Sequence, residues 1–584
     1  MIEHHPPLPR VWRGPRLLWP GGLTVHRLVL GAVIALFLYL AVVPLATLLW
    51  GSFRTDAPGG PHAVYTLQNY ARAYGHSFFL QLVGNTAAYS LGTTVLALCV
   101  GFALAWIVER TDIPLRGPIF FLAIVRLAVP NMMMVIAWIL LLSPRMGVVN
   151  GWAGSLLHLG RPLFNIYSLW GMIGVEGVDK VPIAFLLASG ALRAMDPTLE
   201  ESACVSGAGL WRTVRRVTLP LIFPAMLAAG LLVFLMAFES FEAPILIGLP
   251  FGIRTLVSEI YVRTRAVPSD IPLASAFGVL FLVLAVTGIL LQQRAVRAAE
   301  KFTTITGKGF RAGRVELGPW RLPIAGATLA FLVSAYVLPI GILLWASFLP
   351  FYQAPSLRAL HRAGLGNYHE VLALHTPVLA LRNSVILGVS AATAIALLSL
   401  IVQQALTRRR TLAVRLVDLL VFTPIVIPGI VLAISLIWVY IRMPLPVYGT
   451  LWILFIAYVT RYSPFGMRFA QAAFVQLHRE LEEAVDVSGG SWWYGFRRVT
   501  LPLVVPALFG GWAYLIVYCF RDSATSIMLY TTGTETTSVV VFNLWNNGEI
   551  GPAAALAIIV LVILGAVVAL TRRFVGRYHL ERMA

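Results

Sequence analysis

Long apolar runs recur along this chain and leave it few ways to fold. The clearest in the first half are Leu28 to Phe53, Leu82 to Val108, Pro118 to Leu142, Ser168 to Leu192, Leu221 to Ile247 and Ala274 to Gln292. The second half supplies Leu322 to Phe348, Asn383 to Leu406, Val414 to Tyr440, Leu451 to Met467, Leu503 to Phe520 and Ala553 to Leu570. A helix crossing the ~30 Å hydrocarbon core of a bilayer needs about 20 mostly apolar residues. In lipid the backbone must satisfy its own hydrogen bonds, so these runs read as helices and not as an open sheet. Only 12% of the 584 residues are charged and 59% are hydrophobic, against roughly 25% charged in an ordinary soluble domain. The sequence therefore predicts an all-α polytopic membrane protein with about twelve transmembrane helices and lipid as its surroundings.

The formal charge of +19 is explained by where the basic residues fall. Arg10, Arg13, Arg16 and Arg27 precede the first run, and Arg294, Arg297, Lys301, Lys308, Arg311 and Arg314 separate the sixth from the seventh. Arg408 to Arg410 follow the eighth, and Arg572, Arg573, Arg577 and Arg582 close the chain. With twelve spans all of these lie on one side, which the positive-inside rule makes the cytoplasm, with both termini there. No basic patch is interleaved with exposed aromatics, so no nucleic-acid partner is expected. The first run is too long for the apolar core of a cleaved signal and is expected to be retained. Cys99, Cys204 and Cys519 give neither a disulfide framework nor metal-ligand spacing.

The two halves repeat each other in a measurable register. LLWGSF at Leu48 to Phe53 answers LLWASF at Leu343 to Phe348, and Asn69-Tyr70, Asn85 and Pro130 answer Asn367-Tyr368, Asn383 and Pro428 at an offset of 298. Beyond them Trp170 answers Trp452 at 282. The 16-residue difference is an insertion between the third and fourth runs, Ser143 to Tyr167 in the first half against Arg442 to Tyr448 in the second. Six spans per half put both copies in the same orientation, as parallel repeats about an axis along the membrane normal. The expected division is a first repeat over 1–293, a cytoplasmic linker over 294–321 and a second repeat over 322–584. TGKG in that linker lacks the spacing and the preceding strand of a phosphate-binding loop.

The densest repeat is polar. Leu199 to Ala225 and Leu481 to Ala507 share 16 of 27 positions, among them Glu200/Glu482, Glu201/Glu483, Ser206/Ser488, Gly207/Gly489, Leu219/Leu501 and Pro220/Pro502. LEESACVS reads as a short helix, Ser206-Gly207 as its stop, and GLWRTVRRV as a second helix with one oily side. This loop resembles the EAA loop of the permease subunits of binding-protein-dependent ATP-binding-cassette importers: Glu201, Ser202, Ala203, Gly207 and Leu219-Pro220, then Glu483, Ala484, Val485, Gly489 and Leu501-Pro502. Ser202 and Val485 replace alanines of that pattern.

The resemblance implies a type I importer permease of the bacterial inner membrane, two six-helix repeats in one chain. It implies coupling loops at 199–220 and 481–502, each docking into one member of a homodimeric ATP-binding subunit. That partner uses ATP and Mg; this chain is expected to bind no cofactor and to catalyse nothing itself. An extracytoplasmic binding protein would deliver the cargo. RTDIPLRG, LLSPRMGVVN, YSLWGM and TGKGFR resemble the ferric-iron branch, with thiamine, 2-aminoethylphosphonate, polyamine or sulfate as alternatives; a twelve-helix secondary transporter is the reading from another class. No metal-ligating set can be named from the sequence.

Charges inside the membrane are costly and point to function. Glu239 and Arg521 are twins at offset 282 with opposite signs, and an ion pair between them helping to close an outer gate is expected, with a substrate contact and interfacial snorkelling as the other readings and Glu242 and Asp522 as neighbours. Arg126 is expected to reach an interface, Glu176, Asp179 and Lys180 to neutralise one another, and Asn85 and Asn383 to bond between helices.

Overall fold

Proline at matching positions in the two halves decides which apolar runs stay whole. The computed structural model describes residues 20–583 apart from 57, 59–62, 76, 159, 197, 301–314, 407–411, 476 and 478; TGKG and the basic clusters at Arg10 to Arg16 and Arg408 to Arg410 lie outside the described residues. Nine principal helices in the first half are α1 (Leu28–Ser52), α2 (Ser77–Arg110), α3 (Arg116–Val125), α4 (Asn131–Leu142), α5 (Leu169–Ala194), α6 (Thr198–Val205), α7 (Leu210–Phe238), α8 (Leu256–Arg265) and α9 (Ile271–Glu300). Their counterparts are α10 (Gly318–Ser347), α11 (His375–Leu406), α12 (Leu412–Phe422), α13 (Gly429–Tyr440), α14 (Leu451–Val475), α15 (Arg479–Val487), α16 (Trp493–Arg521), α17 (Thr537–Asn546) and α18 (Ile550–Met583).

Eight of these, α1, α2, α7, α9, α10, α11, α16 and α18, are long and apolar enough to cross a membrane. The twelve runs recur as helical segments, but not all of them are unbroken. The third run is broken at Pro130, where α3 and α4 meet at 108°, and the ninth is broken at Pro428. Proline crowds the residue before it out of helical geometry, and Val129 and Ile427 are indeed extended, at ψ 130° and 110°. The fifth run ends as a helix at Phe238; beyond it Pro244–Phe251 and α8 form a second bent pair at 80°, so eight to ten candidate spans are found among the described residues. The fourth and tenth runs are α5 and α14, of 26 and 25 residues, long enough to cross but carrying charges that they turn toward neighbouring helices.

A second proline effect recurs four times. Five-residue π turns occur at Leu38–Val42, Val333–Val337, Val214–Thr218 and Phe496–Thr500, each two residues before Pro44, Pro339, Pro220 or Pro502. A proline ring clashes with the carbonyl four residues back; widening the turn relieves that clash without ending the helix.

The halves are interleaved. α1 packs on α13 of the other half, and α10 packs on α4. Both α4 and α13 are apolar on all sides and almost wholly buried, as such helices must be. Polar contacts pin the exchange: Tyr39 donates to the Tyr440 hydroxyl at 2.8 Å, Tyr352 to the Leu140 carbonyl at 2.7 Å and Tyr336 to the Val178 carbonyl at 3.2 Å. Within each half the loop after the first helix is locked identically. Asn69 Nδ2 donates to the Ser52 and Arg54 carbonyls, and Asn367 Nδ2 to the Ser347 and Leu349 carbonyls.

Where α1 meets α13, a Cβ on Gly51 would lie 2.3 Å from the Trp438 indole. Gly51→Val should lower the thermal unfolding midpoint in detergent by the equivalent of about 1–3 kcal/mol of overpacking. Gly31→Val, where an added Cβ meets no atom within 4 Å, should leave it unchanged; equal midpoints for both variants would contradict the interleaved packing.

Candidate functional site

The two polar loops fold as elbows with the same stop. At the end of α6 the N–H of Ala208 bonds the Ala203 carbonyl and that of Gly207 bonds the Cys204 carbonyl, both at 3.0 Å. This is the Schellman closure, which requires a left-handed residue, and Gly207 supplies it at φ +80°. Gly489 does the same at φ +74°, with Gly490 N–H bonding the Val485 carbonyl at 2.9 Å. A Cβ on either glycine would meet nothing within 4 Å, so dihedral freedom and not space is what these positions demand. Asp196 starts the first elbow: it accepts from the Thr198 N–H and hydroxyl, and these bonds hold its carboxyl below the usual carboxylate range.

Glu200 does not point outward from its elbow. Its carboxylate pairs with Arg110 Nε at 2.9 Å and accepts from the Thr218 hydroxyl. Arg110, at the end of α2, also donates to the Leu192 and Met195 carbonyls at the end of α5. The elbow is thus tied to two long helices through a buried guanidinium that sequence reading did not single out. Glu201, Ser206 and Ser488 are exposed, while the side chains of Glu482 and Glu483 lie outside the described residues. Leu219-Pro220 and Leu501-Pro502 open the helical stretches that follow the π turns. Beside these polar groups both elbows present apolar side chains outward: Val205 and Val487 are each 89% exposed, and Trp211 and Trp493 are 74% and 58% exposed.

A second constellation lies between the halves. About ten residues into α5 and α14, roughly 15 Å along each helix, charged and polar side chains converge with the α3–α4 break and the ends of α7 and α16. Arg126 is 2% exposed and pairs with Asp179; it donates to the Val129 carbonyl at 2.6 Å and to Asn131 Oδ1 at 3.0 Å. Lys180 bridges Asp179 at 2.7 Å and Glu176 at 2.8 Å. Asn131 Nδ2 reaches Glu242 at 3.2 Å and Glu176 at 3.4 Å. Ser523 of the second half donates to Glu242 at 2.5 Å. Asp522 accepts from Tyr462 at 2.7 Å and from the Thr525 N–H at 2.9 Å.

The expected Glu239–Arg521 pair is not formed. Arg521 donates to the Leu127 carbonyl at 2.5 Å, whereas Glu239 lies 3.7 Å from Arg461, which also stands 3.6 Å from Asp522. Glu239 and Arg521 do close α7 and α16, but these helix ends lie alongside the middle of α14 and the α3–α4 break. Arg126 reaches no interface, because Asp179 and two acceptors around the break hold it inside. Glu176, Asp179 and Lys180 do neutralise one another. Asn85 and Asn383 bond the carbonyls of Arg254 and of Gly533 and Glu535, fastening the segments before α8 and α17. Arg461 was missed, yet a signal existed: it is the offset-282 twin of Asp179. Among the described residues no group of three or more His, Cys, Asp or Glu is placed to hold a metal ion.

Two interleaved repeats in lipid, with paired elbows on one face and a polar contact between the halves, define a multi-pass transport subunit of the type I permease fold. The chain belongs to the family of inner membrane components of binding-protein-dependent transport systems, whose model matches it twice, over residues 97–301 and 384–579. It is similar to the ferric transport system permease protein FbpB of Actinobacillus pleuropneumoniae, 24% identical over 92% of this chain and 76% of the relative. The Fe(3+)-transport system permease protein FbpB 2 of Haemophilus influenzae is 23% identical over 85% of this chain and 90% of its own length. A 2-aminoethylphosphonate transport permease, PhnV, of Salmonella paratyphi A is 26% identical over 41% of this chain and 88% of its own.

Removing one member of a buried ion pair leaves its partner uncompensated, a loss of about 3–5 kcal/mol. Arg126→Leu should therefore sharply reduce the folded yield and thermal midpoint of the purified chain, while Glu239→Gln, whose carboxylate is partly exposed, should shift the midpoint little. Equal behaviour of the two variants would refute the network as drawn.

Proposed function

We propose that this chain is the permease of an ATP-driven importer of the bacterial inner membrane. Both termini face the cytoplasm, the two elbows dock onto a separate homodimeric ATP-binding subunit that hydrolyses ATP-Mg, and an extracytoplasmic binding protein delivers ferric iron. The single observation that carries the docking is the repeated exposure of apolar side chains on the elbows. Val205 and Val487, twins in two copies of one loop, are equally exposed, and a groove on each ATPase protomer would cover one of them. Ferric iron as cargo is supported by relatives that align along most of this chain, 92% and 85% of it, whereas the 2-aminoethylphosphonate relative aligns with 41%.

The geometry supplies a transmission. When the ATPase dimer closes, each elbow moves as a rigid body. Arg110 grips Glu200 on the first elbow and the Leu192 and Met195 carbonyls on α5, so displacement there reaches the helix that carries Glu176, Asp179 and Lys180. The contacts that must then rearrange for the halves to part are those between them: Ser523 with Glu242, Arg461 with Glu239 and Arg521 with the Leu127 carbonyl.

Val205→Asp combined with Val487→Asp should abolish co-purification of the ATPase subunit and binding-protein-stimulated hydrolysis, while the chain still inserts and elutes as a single species. Gly207→Pro or Gly489→Pro should leave insertion intact and stop uptake of ⁵⁵Fe into proteoliposomes, since proline cannot adopt the left-handed stop. Normal uptake by both proline variants would refute the docking role.

A further inference from the structure

The insertion that distinguishes the first half lines an open cavity of about 510 Å³. Its walls come from both halves: Arg145, Asn150 and Arg161 from the segment between α4 and α5, and Tyr352 and Gln353 from the loop after α10. The cavity is held by bonds that fix its shape. Asn150 Nδ2 donates to the Leu142, Ser143 and Phe164 carbonyls at 3.1, 3.0 and 2.8 Å, and its Oδ1 accepts from the Phe164 N–H at 2.8 Å. On the other wall Tyr352 is bonded to the Leu140 carbonyl at 2.7 Å, and Trp345 Nε1 to the Gln353 carbonyl at 2.9 Å.

Three of the side-chain groups left over are donors. Among the described residues neither Arg145 nor Arg161 has an ion-pair, hydrogen-bond or ring partner, and the buried Gln353 Nε2 has no hydrogen-bond partner. No carboxylate lines the cavity. The elbows lie at the opposite ends of α5 and α2 from this segment, so the cavity opens on the extracytoplasmic face. Two free guanidiniums around a concave surface recognise carboxylate with charge and fork geometry together.

We propose that this cavity is the docking socket for acidic side chains on one lobe of the binding protein, and that it makes the outer face of the permease polar in the sense of direction: one end takes a charged anchor that the other cannot. The second half has only Arg442 to Tyr448 at the equivalent place, so the socket fixes which way round a two-lobed partner sits. This rests on the importer reading above and assigns the residues that its partner contacts.

The test uses the full permease with its ATPase subunit in proteoliposomes and the binding protein that stimulates the wild-type complex. Arg145→Glu with Arg161→Glu should raise the half-saturating concentration of that binding protein by about tenfold or more, with greater loss at low salt, as expected for charges that steer encounter. ATPase activity without binding protein should not change. Arg145→Gln with Arg161→Gln should give a smaller shift in the same direction, and a charge-reversed acidic residue on the partner's docking face should restore the Glu variant. An unchanged half-saturating concentration in both double variants overturns the socket. So does inorganic phosphate binding to the wild type and not to the variants while docking stays normal, which would make the cavity a free-anion site. Absence of any stimulation in the wild type would instead count against the importer reading itself.

Discussion

Breaking a helix inside lipid exposes carbonyl groups that water cannot reach, and the arrangement between the two halves follows from that cost. Each unsatisfied polar group buried in hydrocarbon is worth several kcal/mol. The break at Pro130 frees acceptors around Leu127 and Val129, and both are taken by arginines: Arg126 from the same segment and Arg521 from the other half. Once one buried and one half-buried guanidinium are gathered there, carboxylates must accompany them. Asp179 neutralises the first, Lys180 and Glu176 complete a local chain, and Asn131, at the first turn after the break, carries the network on to Glu242 and Ser523. The broken helix is thus the reason for the charges.

The second half solves the same break differently. Gly429 occupies the place of Asn131, and a Cβ there would lie 1.3 Å from Arg461 Nη1, so the guanidinium sits where a side chain would otherwise be. Arg461 is the twin of Asp179, as Arg521 is the twin of Glu239. In a pseudo-two-fold assembly, residues near the axis approach their own twins, and identical charges would then repel in a medium of low dielectric. Opposite signs at twin positions remove that repulsion. They also make the pairing free to cross: Glu239 meets Arg461 and not Arg521, because Arg521 is already committed to the backbone at Leu127.

Much of this was legible in the residues. Apolar run length gave the helices, the 298 and 282 offsets gave the repeats and the site of the insertion, and Gly207 and Gly489 gave the elbow stops at positive φ. The sign reversal at 239 and 521 was visible too. The partners were not, because a helix of constant pitch was assumed through Pro130 and Pro428; straight spans place Glu239 near the outer surface, whereas bent ones bring the middle of α5 against the end of α7. The exchange of α1 and α10 between halves was equally hidden, since apolar faces carry no label for which partner they bury against. Its trace was the small residue at Gly51 facing Trp438.

Glu200 illustrates how a repeated motif residue can be structural in one sense and functional in another. Sequence similarity between the elbows points to a shared partner or a shared constraint without saying which positions serve which. The shared positions divide: Val205, Val487, Trp211 and Trp493 point outward, Gly207 and Gly489 set the turn, and Glu200 turns inward to Arg110 and Thr218. An exposed apolar handle alone would be a poor lever, because a short surface helix can pivot without moving anything beneath it. The carboxylate removes that freedom. Held by a guanidinium that also bonds the end of α5, the first elbow cannot be displaced without dragging the helix whose midpoint bears the charges joining the two halves. Force applied at the handle therefore has a mechanical route to the contacts that keep the halves together.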